Sequence, residues 1–256
     1  MQGLQRWFAL LCSILLLWTG CSMAEPSADQ SFVYGQSELG RDLICHQVGS
    51  DAAEQSILIV FGIHGFEDAF DHDGEVLRLI AEKLISHYRA FPEELRNFLL
   101  YIIPSANPDG LLDGHTNHGF GRCNAYGIDI NRDFPFDWEE DVSTRNQTGE
   151  APLATAEARA ICALVEKLNP TYGIDVHGWK NAAYGNGKMA ETFAWPFRIK
   201  VKRLSTEGML GAWLHSMTIE SILIELPYQP DTEAYVDLNS SRLIEGINVW
   251  VACCSR

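Results

Sequence analysis

Ile57-Leu58-Ile59-Val60-Phe61-Gly62-Ile63-His64-Gly65-Phe66-Glu67 reads as a buried strand running into a glycine-flanked loop that carries a histidine and a glutamate. Its apolar run, rich in β-branched residues and stopped by glycine, suits a strand covered on both faces. The next segment has the other period, with Val76, Leu77, Ile80, Leu84 and Ile85 at helical spacing over 75–89. Phe98 to Ile103 is a second strand, ended by Pro104. Residues 155–168 read as helix, and Tyr172 to Val176 as strand. Gly208 to Met217 is a short helix, Ser221 to Leu226 a strand ended by Pro227, and 231–252 mostly helix. This alternation predicts an α/β sheet with helices on both faces. In such sheets, sites gather beyond the carboxyl ends of the strands, where His64 and Glu67 fall.

The 256-residue chain is 46% hydrophobic and 21% charged, ample for a packed core in one or two domains. Its formal net charge of −15 argues against a broad electrostatic grip on nucleic acid, and no nucleic-acid partner is expected. The one basic cluster, Arg198, Lys200, Lys202 and Arg203, reads as a solvated strand edge.

Residues 1–24 differ from the rest. Arg6 is their only charge, and Trp7 to Trp18 is an apolar run broken only by Ser13. The run is short of the ~20 residues that span a bilayer and reads as a secretory signal. Two exits stay open: cleavage after Ala24, or a lipoprotein-type end before Cys21. Residues 25–256 then form a single catalytic domain, exported as a secreted, periplasmic or lipid-anchored protein, and expected to be a monomer. No pro-segment is expected between signal and enzyme. Beyond the signal remain Cys45, Cys123, Cys162, Cys253 and Cys254, an odd set without a C-x-x-C. Cys45 and Cys162 read as buried thiols, and Cys253 and Cys254 as exposed ones.

A second histidine, His177, ends the strand Gly173-Ile174-Asp175-Val176-His177. Two histidines, a glutamate and a water make a catalytic zinc set, although H-x-x-E alone recurs by chance. Glu225 lies inside the apolar strand Ile222-Leu223-Ile224-Glu225-Leu226-Pro227. A carboxylate there is costly unless it reaches a partner or a cavity, which makes it a candidate acid or base. Two further segments belong to the pattern: Ser105-Ala106-Asn107-Pro108-Asp109-Gly110, and the run from Gly121-Arg122 to Asp129-Ile130-Asn131-Arg132-Asp133-Phe134-Pro135.

Taken in order, these segments resemble the zinc metallocarboxypeptidase family related to carboxypeptidase A. The resemblance spans about residues 33–228 and includes an early hairpin at Gly35 to Arg41. Compact length, the Gly211-Ala212-Trp213 segment and the signal-like start resemble its bacterial murein-peptide amidase branch. The resemblance implies a mixed, mostly eight-stranded sheet with helices on both faces, the carboxypeptidase-like (phosphorylase/hydrolase-like) fold. It implies one Zn2+ per chain, bound by His64, Glu67 and His177. Glu225 would be the general base and then the proton donor to the leaving amine, and Arg122 would stabilise the oxyanion. Asn131 and Arg132 would hold a substrate carboxylate, and Asp129 would fix the tautomer of a ligand histidine. Asp129 and Asn131 share one face if the segment is extended, and Arg132 can grip a carboxylate with two hydrogen bonds.

The implied substrate is a peptide or muropeptide whose scissile amide adjoins a free carboxylate, the γ-D-glutamyl–diamino acid bond of wall peptides being the first choice. Ordinary peptide C termini and aspartoacylase-type N-acyl amino acids are alternatives. An inactive binding module is disfavoured by the complete ligand set. Phe66 stands where many members carry arginine, and Asp133 where many carry asparagine. Tyr184, Tyr228 and Tyr235 are candidates for the family's substrate-contacting tyrosine, and the side-chain pocket falls between Gly185 and Trp213. Asp71-His72-Asp73 reads as a solvated turn, His115 and His118 as loop residues, and His215 as an ordinary helix residue. Trp179 suits lining the cleft or packing equally well.

Overall fold

The computed structural model describes residues 30–67, 69–70, 72–204, 207–228 and 232–255. The expected signal segment 1–24, with Cys21, and Asp71 lie outside the described residues. The chain opens with strands β1 (Gln30–Gln36), β2 (Asp42–Gly49) and β3 (Gln55–Phe61). Helix α1 (Asp73–Ala90), strand β4 (Phe98–Ile103), the short helix α2 (Pro108–Asp113) and strand β5 (Thr116–Cys123) follow. Next come α3 (Ala156–Leu168), β6 (Tyr172–Gly178), β7 (Ala182–Tyr184), α4 (Gly187–Phe197) and β8 (Lys200–Lys202). The helix α5 (Leu210–Ser216), β9 (Glu220–Leu226) and α6 (Thr232–Cys254) complete the order.

Among the described residues, eight strands form one sheet in the order β1-β2-β4-β3-β6-β9-β7-β8. The pairs β4–β3, β3–β6 and β6–β9 are parallel, whereas β1–β2, β2–β4 and β7–β9 are antiparallel. The sheet is therefore mixed and eight-stranded, as the resemblance implied. Its parallel centre sends the ends of β3, β6 and β9 to one edge, where His64, Glu67, His177 and Glu225 gather.

Alternation along β3 divides the core. Ile57, Ile59 and Phe61 join Leu77, Ile80 and Leu84 of α1 and Leu243, Ile247 and Trp250 of α6 on one face. Leu58 and Val60 join Ile161 and Val165 of α3 and Leu210 and Leu214 of α5 on the other. Each such side chain contributes about 1.5–3 kcal/mol when fully buried. The charged ends of α1 suit its dipole, with Asp73 and Glu75 in the first turn and His87 and Arg89 in the last. The basic cluster is a strand edge as expected, since β8 is exposed throughout. No helix among the described residues is long and apolar enough to cross a membrane.

Candidate metal centre

The loop after β3 carries His64 and Glu67, and its path depends on backbone contacts. A Cβ on Gly65 would lie 2.3 Å from the Gly110 carbonyl carbon and 2.5 Å from the Gly121 oxygen. Only glycine lets these three chain segments cross. The N-P-D-G segment helps to fix them. Asn107 Oδ1 accepts the Gly110 N–H at 2.9 Å, capping α2, and its Nδ2 donates to the Cys123 carbonyl at 3.0 Å. Asp109 accepts from Ser37 Oγ, from the Leu39 N–H and from Arg41 Nη1, at 2.9, 2.9 and 2.6 Å, and so anchors the early hairpin.

His177 comes from the end of β6, and the parallel register sets it directly beside Glu225 of β9. One ligand atom from each of His64, Glu67 and His177 lies within 4.8 Å of the others, and all three residues are buried. Both histidines turn Nδ1 inward: His64 Nδ1 is 3.2 Å from Glu67 Oε2, and His177 Nδ1 is 2.9 Å from Glu67 Oε1. Their outer nitrogens meet buried carboxylates. His64 Nε2 is 2.9 Å from Asp129 Oδ1 in a hydrogen bond; His177 Nε2 is 2.9 Å from Asp175 Oδ1 without hydrogen-bond geometry, and 3.1 Å from Asn131 Nδ2. A neutral imidazole that donates Nε2–H outward presents an Nδ1 lone pair inward. Two lone pairs facing one carboxylate repel unless a cation lies between them, so the donor set fits a metal ion. Three N and O donors of this kind suit zinc with an open position.

Without a metal ion the same negative field draws a proton to this spot instead. Burial lowers the proton affinity of His177, yet Asp175 and Glu67 outweigh it and raise its pKa well above the usual range. Burial pushes Glu67 up, but the two histidines overcome this and hold it well below the ordinary carboxylate range. Asp129 behaves alike: burial opposes ionisation, while His64 and Arg122 prevail and lower its pKa.

Arg122 is 4% exposed and reaches the centre. Its Nη1 lies 3.2 Å from His64 Nδ1, and its Nη2 donates to Asp129 Oδ2 at 3.3 Å. Glu225 is 6% exposed. Its Oε1 lies 3.2 Å from Lys180 Nζ, and its Oε2 is buried without a hydrogen-bond partner. Burial raises its pKa first and the Glu67 charge second, while His177 and Lys180 pull it back. A carboxylate held this way has one oxygen available to take a proton.

Some expectations meet a different geometry. The segment 128–132 is not extended: Ile130–Arg132 is a 3-10 turn capped by Asp129, whose Oδ1 accepts the Asn131 N–H at 2.9 Å. The side-chain cap offers the backbone a turn in place of a strand. Asn131 is buried, and the protein already uses both ends of its amide. Oδ1 accepts the Leu210 N–H at 2.9 Å, and Nδ2 donates to Asp175 Oδ2 at 3.2 Å. Arg132 is half-buried, with Nη1 donating to the Asn131 carbonyl at 2.8 Å. Asp133 has a structural task, accepting from Ala154 N, Thr155 N and Thr155 Oγ1.

Two supporting carboxylates escape a motif search. Asp175 is one; its signal was a charge inside an apolar strand, two residues before His177. Asp73, expected in a solvated turn, is the other; it is buried in the first turn of α1. It accepts the Glu67 N–H at 2.5 Å, the Ala69 N–H at 2.9 Å and Trp179 Nε1–H at 2.7 Å. Trp179 lines a cleft of about 410 Å3 together with Glu67, Ala69, Arg145, Lys180 and Tyr228. Of the candidate tyrosines, Tyr228 is thus at the cleft. Tyr235 is buried with its hydroxyl on the Pro227 carbonyl, and Tyr184 packs under Lys202. Phe66 is fully buried. His115, His118 and His215 are exposed, and Cys45, Cys123 and Cys162 are buried free thiols. Cys253 and Cys254, expected exposed, are half-buried and also free.

Comparison with known proteins agrees with this geometry. The family profile described as zinc carboxypeptidase matches residues 17–211. Bacteriocin BCN5 of Clostridium perfringens is 36% identical over 226 residues, covering 85% of this chain but 25% of that protein. The chain therefore spans a quarter of the bacteriocin's length. Murein peptide amidase A of Escherichia coli K12 is 27% identical over 221 residues, covering 78% of this chain and 83% of that protein. In fold, the murein-tripeptide amidase MpaA from Escherichia coli O157 superimposes with a TM-score of 0.66 at 24% identity, over 86% of this chain and 91% of that one. Carboxypeptidase A from Helicoverpa armigera gives a TM-score of 0.66 at 15% identity, over 89% and 70%.

Proposed function

The chain belongs to the zinc carboxypeptidase family, and from that premise we propose that it hydrolyses the amide between γ-D-glutamate and a diamino acid in wall-derived peptides. It is a zinc-dependent peptidase; the choice of substrate is our reading. The observation that carries the chemistry is the convergence of His64, Glu67 and His177 beside a buried Glu225. The substrate choice is supported by the likeness to a murein peptide amidase over 83% of that protein.

Zinc held by these three residues supplies Lewis acidity and activates water near neutral pH. The chain's own groups do the rest. Glu225 Oε2 takes the proton of the attacking water and returns it to the leaving amine. Arg122, fixed by Asp129, offers guanidinium hydrogens to the oxygen that gains charge, a contribution of ~2.7–4 kcal/mol for one such donor. We assign Arg132, with Asn131 beneath it, to the carboxylate of the residue released. Asp129 holds the His64 imidazole in one tautomer, and the Asp175 charge lies against His177. Export fits this reading, because wall peptides lie outside the cytoplasm, and residues 1–24 have the composition of a signal.

The test is mass spectrometry of L-Ala-γ-D-Glu-diaminopimelate digested by the zinc-loaded protein, beside its Glu225→Gln variant. We expect diaminopimelate release by the parent and a kcat lower by about 10^2–10^4 in the variant, with zinc content retained. Failure to release it, with α-linked peptides trimmed instead, would move the enzyme to ordinary C termini.

A further inference from the structure

Lys180 belongs to no motif, yet it lies in the cleft. Its ammonium is 3.2 Å from Glu225 Oε1, and its side chain is 61% exposed. The same cleft is lined by Arg145, Trp179 and Tyr228 and reaches Glu67. The cation assigned to the released residue is elsewhere. Arg132 bonds to the Asn131 carbonyl, and its own carbonyl meets Gly208. Arg132 does not line this cleft, so with Arg132 assigned to the leaving side the cleft that Lys180 borders is left for the acyl side. The loop position two after His64 supplies no charge there, since Phe66 is fully buried.

We propose that Lys180 is a specificity residue that binds a carboxylate on the acyl side of the scissile amide. This rests on the wall-peptide reading above and gives it a structural cause. A γ-linked glutamyl group carries its free α-carboxylate at the far end of the residue from the scissile carbonyl, separated from it by Cγ, Cβ and Cα. An ordinary α-linked peptide presents a neutral amide there. An ammonium has three donors, and the Lys180 end of the pair is 61% exposed, although Glu225 is only 7%. A substrate carboxylate can therefore accept a second N–H of Lys180 from the solvent side while another stays on Glu225 and keeps it oriented toward the reacting carbonyl.

The experiment compares kcat/KM for L-Ala-γ-D-Glu-diaminopimelate with that for the same peptide amidated at the glutamyl α-carboxyl, in the parent, Lys180→Met and Lys180→Arg. The expected result is about ten-fold preference for the free acid in the parent, as for a partly exposed charge-assisted hydrogen bond. The preference should fall toward unity in Lys180→Met and persist in Lys180→Arg. The ratio does not depend on the fraction of active protein, so imperfect folding cannot imitate the effect. An equal loss on both peptides, or an unchanged ratio, would overturn the assignment and leave Lys180 as a structural partner of Glu225. The pair Ala-Glu-Phe and Ala-Gln-Phe separates this from the wall-peptide reading. If the parent cleaves only these, that reading fails. Lys180 then keeps its role if Glu is preferred over Gln in a Lys180-dependent way, and loses it otherwise.

Discussion

Asp175 shows how a residue remote from substrate can govern the centre. Its charge sits 2.9 Å from the outer nitrogen of His177 and it accepts from Asn131 at 3.2 Å, so it both sets the field at the imidazole and anchors the turn that carries Arg132. Asp175→Asn should weaken zinc binding by roughly 10–100-fold, the usual cost of losing such a partner. Competition with a chromophoric chelator reads this directly, and unchanged affinity would remove Asp175 from the site. The residues that announce themselves in sequence are those with short spacings or an unusual setting, such as His64 with Glu67, and Glu225 in its apolar strand. Asp73 was legible only as a turn. Its reach to Glu67 and Trp179 depends on a strand end more than a hundred positions away, at Trp179. Lys180 gave no signal, because a lone surface lysine acquires meaning only from the carboxylate opposite it.

At the scale of elements, two features can be tested separately. The loop after β3 crosses α2 and β5 with no room for a side chain. Gly65→Ala should cost about 3 kcal/mol or more, since the added carbon meets backbone that cannot step aside. Chemical denaturation will measure it, and zinc affinity should fall with it. The first turn of α3 holds Glu157, fully buried, whose Oε1 accepts the Glu38 N–H at 3.1 Å. Burial, helped by Glu38 and Asp109, pushes its pKa up to about 7 from 4.5. Folding therefore takes up a proton between those values. Stability from this group is intact below pH 4.5, declines as pH rises, and is lost above pH 7, a change on the order of 3 kcal/mol. Glu157→Gln keeps the acceptor and removes the charge. It should be more stable than the parent above pH 7 and lack this pH-dependent decline, as urea titrations at several pH values would show. The strands β3, β4, β6 and β9 and the helices α1, α3, α5 and α6 follow from apolar runs and helical periods. The rest were hidden for definite reasons. β7 and β8 are three residues each, too short to show a period. Helix α4 begins at a glycine of φ +70° and contains Pro196, both of which read as breakers. β1, a mostly exposed edge, lacks an apolar run.

Across the whole molecule, the sheet is closed at one edge by charge. Lys200 and Lys202 make β8 a poor template for another strand. The centre gathers four acidic residues, Glu67, Asp129, Asp175 and Glu225, each at most 6% exposed. Their mutual repulsion is a burden that a dication relieves. Zinc should therefore raise the melting temperature, by about 2.7 kcal/mol of stability at a hundredfold excess over Kd. Chelation should lower it and abolish activity while leaving the far-ultraviolet circular dichroism in place; collapse of that signal would mean the sheet cannot stand without metal. The separation in sequence between the partners of the centre has a further consequence, one of timing. His64 and Glu67 are early residues, but His177 is 110 positions beyond Glu67, and Glu225 is later still. During synthesis the ribosome releases two of the three ligands long before the third, and the base last of all. A growing chain can neither seize zinc in its final geometry nor cut an amide, so the peptidase comes into being only when its sheet has closed around β9.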